Sequence, residues 1–153
     1  MLRAIASVVV AFVLMELLFE GARTGLYLAL GAERVFEPGA WTPSGLWVSL
    51  MLIVGIITAL AGGWVCKAIA KSGKPPRVLA AIFLVLGIIA AISTRGAPAP
   101  TESRGPNVAR MEAMDKAVRP IWFTVANSLT WFLGVMVGAG LGKERAGGAK
   151  ITP

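Results

Sequence analysis

Four stretches, 4–22, 45–66, 78–94 and 121–142, are apolar over roughly 20 residues each, and the last three carry no charged side chain. As an α-helix, a run of that length crosses about 30 Å of hydrocarbon, where only helices and closed barrels bond all their own backbone polar groups. The stretches take up more than half of the 153 residues, leaving too little chain for a separate water-soluble enzyme domain. Only 15% of the chain is charged, against about 25% in an ordinary soluble domain. The sequence therefore predicts an all-α fold: a single membrane domain over 1–153, built as a four-helix bundle.

The connections set the orientation. Lys67, Lys71, Lys74 and Arg77 crowd the turn 67–77 with no acid, and Ser72-Gly73 and Pro75-Pro76 break the helix there, so spans two and three form an antiparallel hairpin. Short basic loops stay in the cytoplasm. With both ends on that side, it holds eight basic residues against Glu144 alone, while the other side holds seven of each sign. The expected topology is N-in, C-in, with outer loops 23–44 and 95–120 and a cytoplasmic tail 143–153. The first span lacks a small-x-small cleavage pattern before Ala22, which favours an uncleaved anchor. Gly96 to Pro106 is rich in Pro and Gly and reads as extended or mobile. After it, Asn107 is a candidate N-cap for a short amphipathic helix to Val118, with Val108, Met111 and Val118 on one face and Glu112 paired with Lys116 on another.

Composition also excludes chemistry. With no His and the single Cys66, the usual zinc, haem and iron–sulfur ligand sets and an intrachain disulfide cannot be assembled from this chain, and a Ser or Cys triad loses its ordinary base. No phosphate-binding glycine loop is present. The expectation is no cofactor, no metal and no catalysis. The net charge of +7 is accounted for by membrane orientation and anionic lipid rather than by nucleic acid. Lys67, Lys71, Lys74 and Arg77 are the candidate headgroup contacts.

Glu16 is the sharpest feature. At about 1.5 Å per residue it lies about 20 Å along its helix from Arg3, inside the outer half of the hydrocarbon. An acid near the bilayer centre costs on the order of 2–3 kcal/mol, so such a residue faces the protein interior, a partner or water. Glu20 and Arg23 follow on the same stripe. Either these acids reach the outer interface and pair with Arg23, or Glu16 forms a proton or cation site. Asn127 and Ser128 in the last span lie at the same depth and could donate to the carboxylate, or could serve as interhelical hydrogen-bonding groups. Small residues at i+4 spacing, Gly55, Ala59 and Gly63 in span two and Gly134, Gly138 and Gly142 in span four, let another backbone approach closely, from this chain or a second subunit. Trp41, Trp47 and Trp122 are placed for an outer aromatic belt and Trp64 for the inner one, while Trp131 sits mid-span.

The arrangement of Trp41-to-Trp47, Ala59-Leu60-Ala61-Gly62-Gly63-Trp64-Val65-Cys66, Met111-Glu112-Ala113-Met114 and the Gly-rich last span resembles small four-span bacterial membrane proteins with no assigned activity. The four-helix layout with a glutamate in the first span also looks like small multidrug resistance transporters, which implies a proton-coupled role for Glu16. Two functions are thus expected from different classes. One is a non-catalytic accessory or self-associating subunit in the inner membrane, whose partners are the bilayer and either itself or other membrane subunits. The other is a proton-coupled transporter or channel using Glu16.

Overall fold

The computed structural model describes residues 1–94, 100–105 and 108–141. Gly142, the cap candidate Asn107 and the tail 143–153 lie outside the described residues. Six helices follow one another, and among the described residues there is no strand, only an isolated bridge between Phe36 and Pro43. Four of the helices are long and apolar enough to cross a membrane: α1 (Leu2–Leu30), α3 (Gly45–Ala70), α4 (Lys74–Ser93) and α6 (Ile121–Leu141). Two are short, α2 (Ala32–Val35) and α5 (Arg110–Lys116).

Local chemistry sets the helix ends. α1 stops where Gly31 turns to φ 72°, its N–H donating to the Tyr27 carbonyl at 2.9 Å, a backbone conformation that favours glycine. Ser44 caps α3: its hydroxyl accepts from the Trp47 N–H at 3.2 Å and donates to the Arg34 carbonyl at 2.6 Å. α3 ends at Lys71, a left-handed residue with φ 53°, and Pro75 and Pro76 open α4, where a missing N–H leaves no helical bond unmade. α1 runs on as helix to Leu30, through residues that the apolar pattern assigns to a loop. Its 29 residues make it about 43 Å long, more than the hydrocarbon requires.

α3 packs most extensively on α6; α4 lies on α6 and α1 on α3. The glycine stripes make the central seam possible. Gly134 faces Ala59, Gly63 faces the Val135 backbone, and Gly138 faces the Leu60 backbone, so close that a Cβ on any of the three glycines would collide. The two stripes therefore meet each other inside one chain, which answers the question their spacing leaves open. Around the seam lies an apolar core of Met15, Leu79, Phe83, Trp131 and Val135, where the Trp131 ring sits 4.7 Å from Phe83 and 5.1 Å from Phe19.

The two ends of the molecule differ. At one, Arg3 donates to the Ile69 carbonyl at 2.7 Å, and Lys71, Lys74 and Arg77 are exposed nearby in sequence. At the other, the connecting segments fold over the helices as a cap with its own core of Tyr27, Val35, Phe36, Trp47, Met51 and Ala113. Arg104 holds it together. Its side chain is fully buried, its Nε donates to the Ala40 carbonyl at 3.1 Å, its Nη1 to the Gly105 carbonyl at 2.9 Å, and its Nη2 lies 2.9 Å from Glu33. Trp41 Nε1 donates to the Glu102 carbonyl at 2.8 Å, and the Tyr27 hydroxyl to the Val108 carbonyl at 2.9 Å. Residues 100–105, expected to be extended or mobile, are pinned instead.

Two further expectations change here. Trp41 and Trp47 are buried in the cap core rather than facing lipid, while Trp64 and Trp122 remain exposed. The short helix is confined to Arg110–Lys116, and its buried residue is Ala113; Met111 is exposed. Tertiary contact with the cap core, not the Val108 and Met111 spacing, chose the inward face.

Candidate functional site

A cleft of about 230 Å³ lies between α1, α4 and α6. Glu16 and Glu20 of α1 line it, as do Thr124, Asn127 and Ser128 of α6, with Phe83 of α4 and Trp131 of α6 forming apolar wall. The cleft exists because Phe83 and Trp131 fill the space below it, while small Gly87 lets α4 approach α6 at Ser128. Among the described residues, no hydrogen bond or ion pair reaches the Glu16 carboxylate. A carboxylate in such a cleft with no hydrogen-bond or ion-pair partner among the described residues has its oxygens free to accept.

The polar groups on α6 are partly committed. Ser128 donates to the Thr124 carbonyl at 2.8 Å, which leaves its lone pairs free, and Asn127 Oδ1 accepts from Trp131 Nε1 at 3.2 Å, which leaves the Asn127 amide N–H donors unassigned. Asn127 can thus still donate toward a carboxylate or an anion.

Arg23 does not line this cleft. It pairs with Glu20 at 2.6 Å, and Arg110 stands 3.8 Å from the same carboxylate. Two of the three charges on the stripe neutralise each other, and Glu16 is left out. Arg23 instead lines a second, smaller cavity beneath the cap, together with Arg119 and Asn127. Sequence reasoning gave no role to Arg104, Arg110 or Arg119. The only signal was the number of arginines in the segment before the last span, which charge counting absorbed into topology.

At the basic end, Lys74 stands on the rim of an apolar groove of about 340 Å³ between α1 and α4, lined by Ala4, Ile5, Val8 and Val78. Lys67 lies in the last turn of α3, Lys71 just after it and Arg77 in the first turn of α4, and none of the three lines that groove. Cys66 is buried with its Sγ 3.9 Å from Ser7 Oγ, which places the thiol out of reach of acylation. No group of three or more acidic or cysteine side chains that could hold a metal occurs among the described residues. Comparison with protein families, with curated proteins and with solved structures finds no match for this chain.

Proposed function

We propose that this chain is a small, non-catalytic multi-pass protein of a bacterial inner membrane, N-in and C-in, whose working element is the Glu16 cleft, acting as a proton or cation site. One observation carries the reading: Glu16 lies about 20 Å along α1 from Arg3, in a cleft with Asn127 and Ser128, while Glu20 takes the available arginine. The asymmetry of charge supports the orientation, since every lysine and arginine of the Lys67–Arg77 turn sits at one end and the charge-balanced cap at the other. The four-helix layout, which resembles small multidrug resistance transporters, agrees with a proton-coupled role.

The accessory-subunit reading loses the feature on which it chiefly leaned. Gly55, Ala59, Gly63, Gly134 and Gly138 are buried between α3 and α6 of the same chain and offer no surface to a second copy. Association with another subunit would have to use the exposed apolar faces that all four long helices turn outward instead.

Proteoliposomes carrying a pH-sensitive dye test the proposal. A pH gradient imposed on wild-type vesicles is expected to dissipate faster than on empty ones, with Glu16→Gln reducing the rate to that of empty vesicles and Glu16→Asp restoring part of it. Equal rates for wild type and Glu16→Gln, with both proteins folded by thermal melting, would remove Glu16 from the function.

A further inference from the structure

The cavity beneath the cap is walled mainly by apolar side chains, with two arginines and an asparagine set among them. It is small, about 60 Å³, and sits where α1, α3 and α6 meet the cap. Arg23 comes from α1, Arg119 from the segment leading into α6, and Asn127 from α6 itself; Trp47 and Phe123 supply apolar wall. Of the two lining arginines, Arg23 pairs with Glu20, a carboxylate that Arg110 also approaches, while Arg119 forms no ion pair among the described residues.

Two observations separate this cavity from an ordinary packing defect. The Arg23 Nε–H is shut off from solvent and has no acceptor among the described residues, although its Nη2 is paired with Glu20. Buried donors are nearly always satisfied, and an orphan on a residue that lines a cavity points to a missing acceptor. Positive charge is also in excess. Although part of Arg119 is exposed at the cavity mouth, its apolar surroundings and then the Arg23 charge push its guanidinium below the ordinary arginine range, with Glu20 pulling the other way. Arginine stays protonated under these conditions, so a bound anion would relieve the repulsion between the two guanidinium groups.

We propose that Arg23, Arg119 and Asn127 bind a small oxyanion in this cavity, presented either by a free phosphate or by the phosphate of a lipid headgroup. Guanidinium groups suit that ligand because their fork of N–H donors matches the spacing of phosphate or carboxylate oxygens. The Asn127 amide donates a further bond while its Oδ1 stays with Trp131. Glu20 competes with the anion for Arg23, which limits affinity and makes the site responsive to that one acid.

The test uses the full-length protein in nanodiscs of phosphatidylcholine, titrated with inorganic phosphate against choline chloride at matched ionic strength. A second set of nanodiscs contains phosphatidylglycerol without phosphate. Tm and tryptophan fluorescence are read, Trp47 being in the cavity wall. Wild type should show a saturable rise in Tm and a fluorescence change. Arg119→Gln should weaken the apparent affinity about tenfold or more, the loss of one charge-assisted bond, with Arg119→Lys recovering part. Glu20→Gln should tighten it about fivefold or more by removing the competing charge, an effect that a merely structural role for these residues would not produce. If the same pattern follows the phosphatidylglycerol fraction rather than phosphate, the ligand is the lipid headgroup and the site stands. No saturable response in either arm, or one identical in wild type, Arg119→Gln and Glu20→Gln, overturns the proposal. Because Glu16 is unchanged in these variants, failure here leaves the proton site untouched.

Discussion

The seam between α3 and α6 makes a quantitative prediction about single methyl groups. A Cβ at position 63 would lie inside van der Waals contact with the Val135 carbonyl oxygen and 2.8 Å from its carbon, and one at position 138 would meet the Leu60 carbonyl in the same way. Carbon atoms pack at about 3.5–4.0 Å, so the two helices must part by about 1 Å, because backbone has no rotamer into which to retreat. A gap of that size forfeits roughly a quarter to a half of each local dispersion contact, and overpacking of this kind typically costs about 1–3 kcal/mol. Gly63→Ala and Gly138→Ala should each destabilise the protein by that amount, and the double variant by less than the sum, because the first substitution already opens the seam. Gly140→Ala in the same helix meets nothing within 4 Å and should gain about 0.5–1 kcal/mol from helix propensity. Reversible unfolding in mild detergent, followed by far-UV circular dichroism, measures all four. If Gly63→Ala and Gly138→Ala unfold like Gly140→Ala, the helices do not approach as closely as described.

Other substitutions probe the remaining structure. Gly62→Ala should cost less than Gly63→Ala, since its new methyl meets the flexible Met15 side chain rather than backbone. Arg104→Gln, which leaves carbonyls of the cap core without their charged donor, should lower stability by about 1.5–3 kcal/mol and speed hydrogen exchange in residues 36–44 more than in α3 or α6. Lys71→Gly relieves the left-handed backbone at φ 53° and should raise stability by about 0.5–1 kcal/mol, visible as a higher Tm. Cys66, buried against Ser7, should react with a maleimide only after the protein is unfolded in strong detergent; rapid labelling of the native protein would contradict its burial.

The four long helices were legible because each depends on a local property, about 20 mostly apolar residues in a row, uncharged in all but the first. The basic turn was legible for the same reason, its breakers and cations being adjacent. Glu16, Glu20, Asn127 and Ser128 could be grouped by depth alone, and the structure lines one cleft with all four. Spacing could pick out the glycine stripes but not say which helix meets which, since that is decided between residues as distant as Gly63 and Val135. The cap was illegible. Arg104 sits in a Pro/Gly-rich run whose composition signals mobility, and only its long-range bonds to Ala40 and Glu33 show otherwise. Spacing put Arg23 on one stripe with Glu16 and Glu20 and left both acids open to it as partners; the structure pairs it with Glu20.

The order of synthesis gives the seam a temporal consequence. α6 leaves the ribosome after the other described helices, and the Gly55, Ala59 and Gly63 face of α3 has no partner until then; α4, its hairpin neighbour, rests mainly on α6 as well. The cap is equally late, because Tyr27 and Trp41 bond to Val108 and to Glu102, far downstream. Until then the first three long helices are held chiefly by the packing of α1 on α3, and the side of Glu16 that faces α6 stays open. A chain truncated before Ile121 would stay in that state, and so offer membrane proteases a ready means of telling unfinished copies from finished ones.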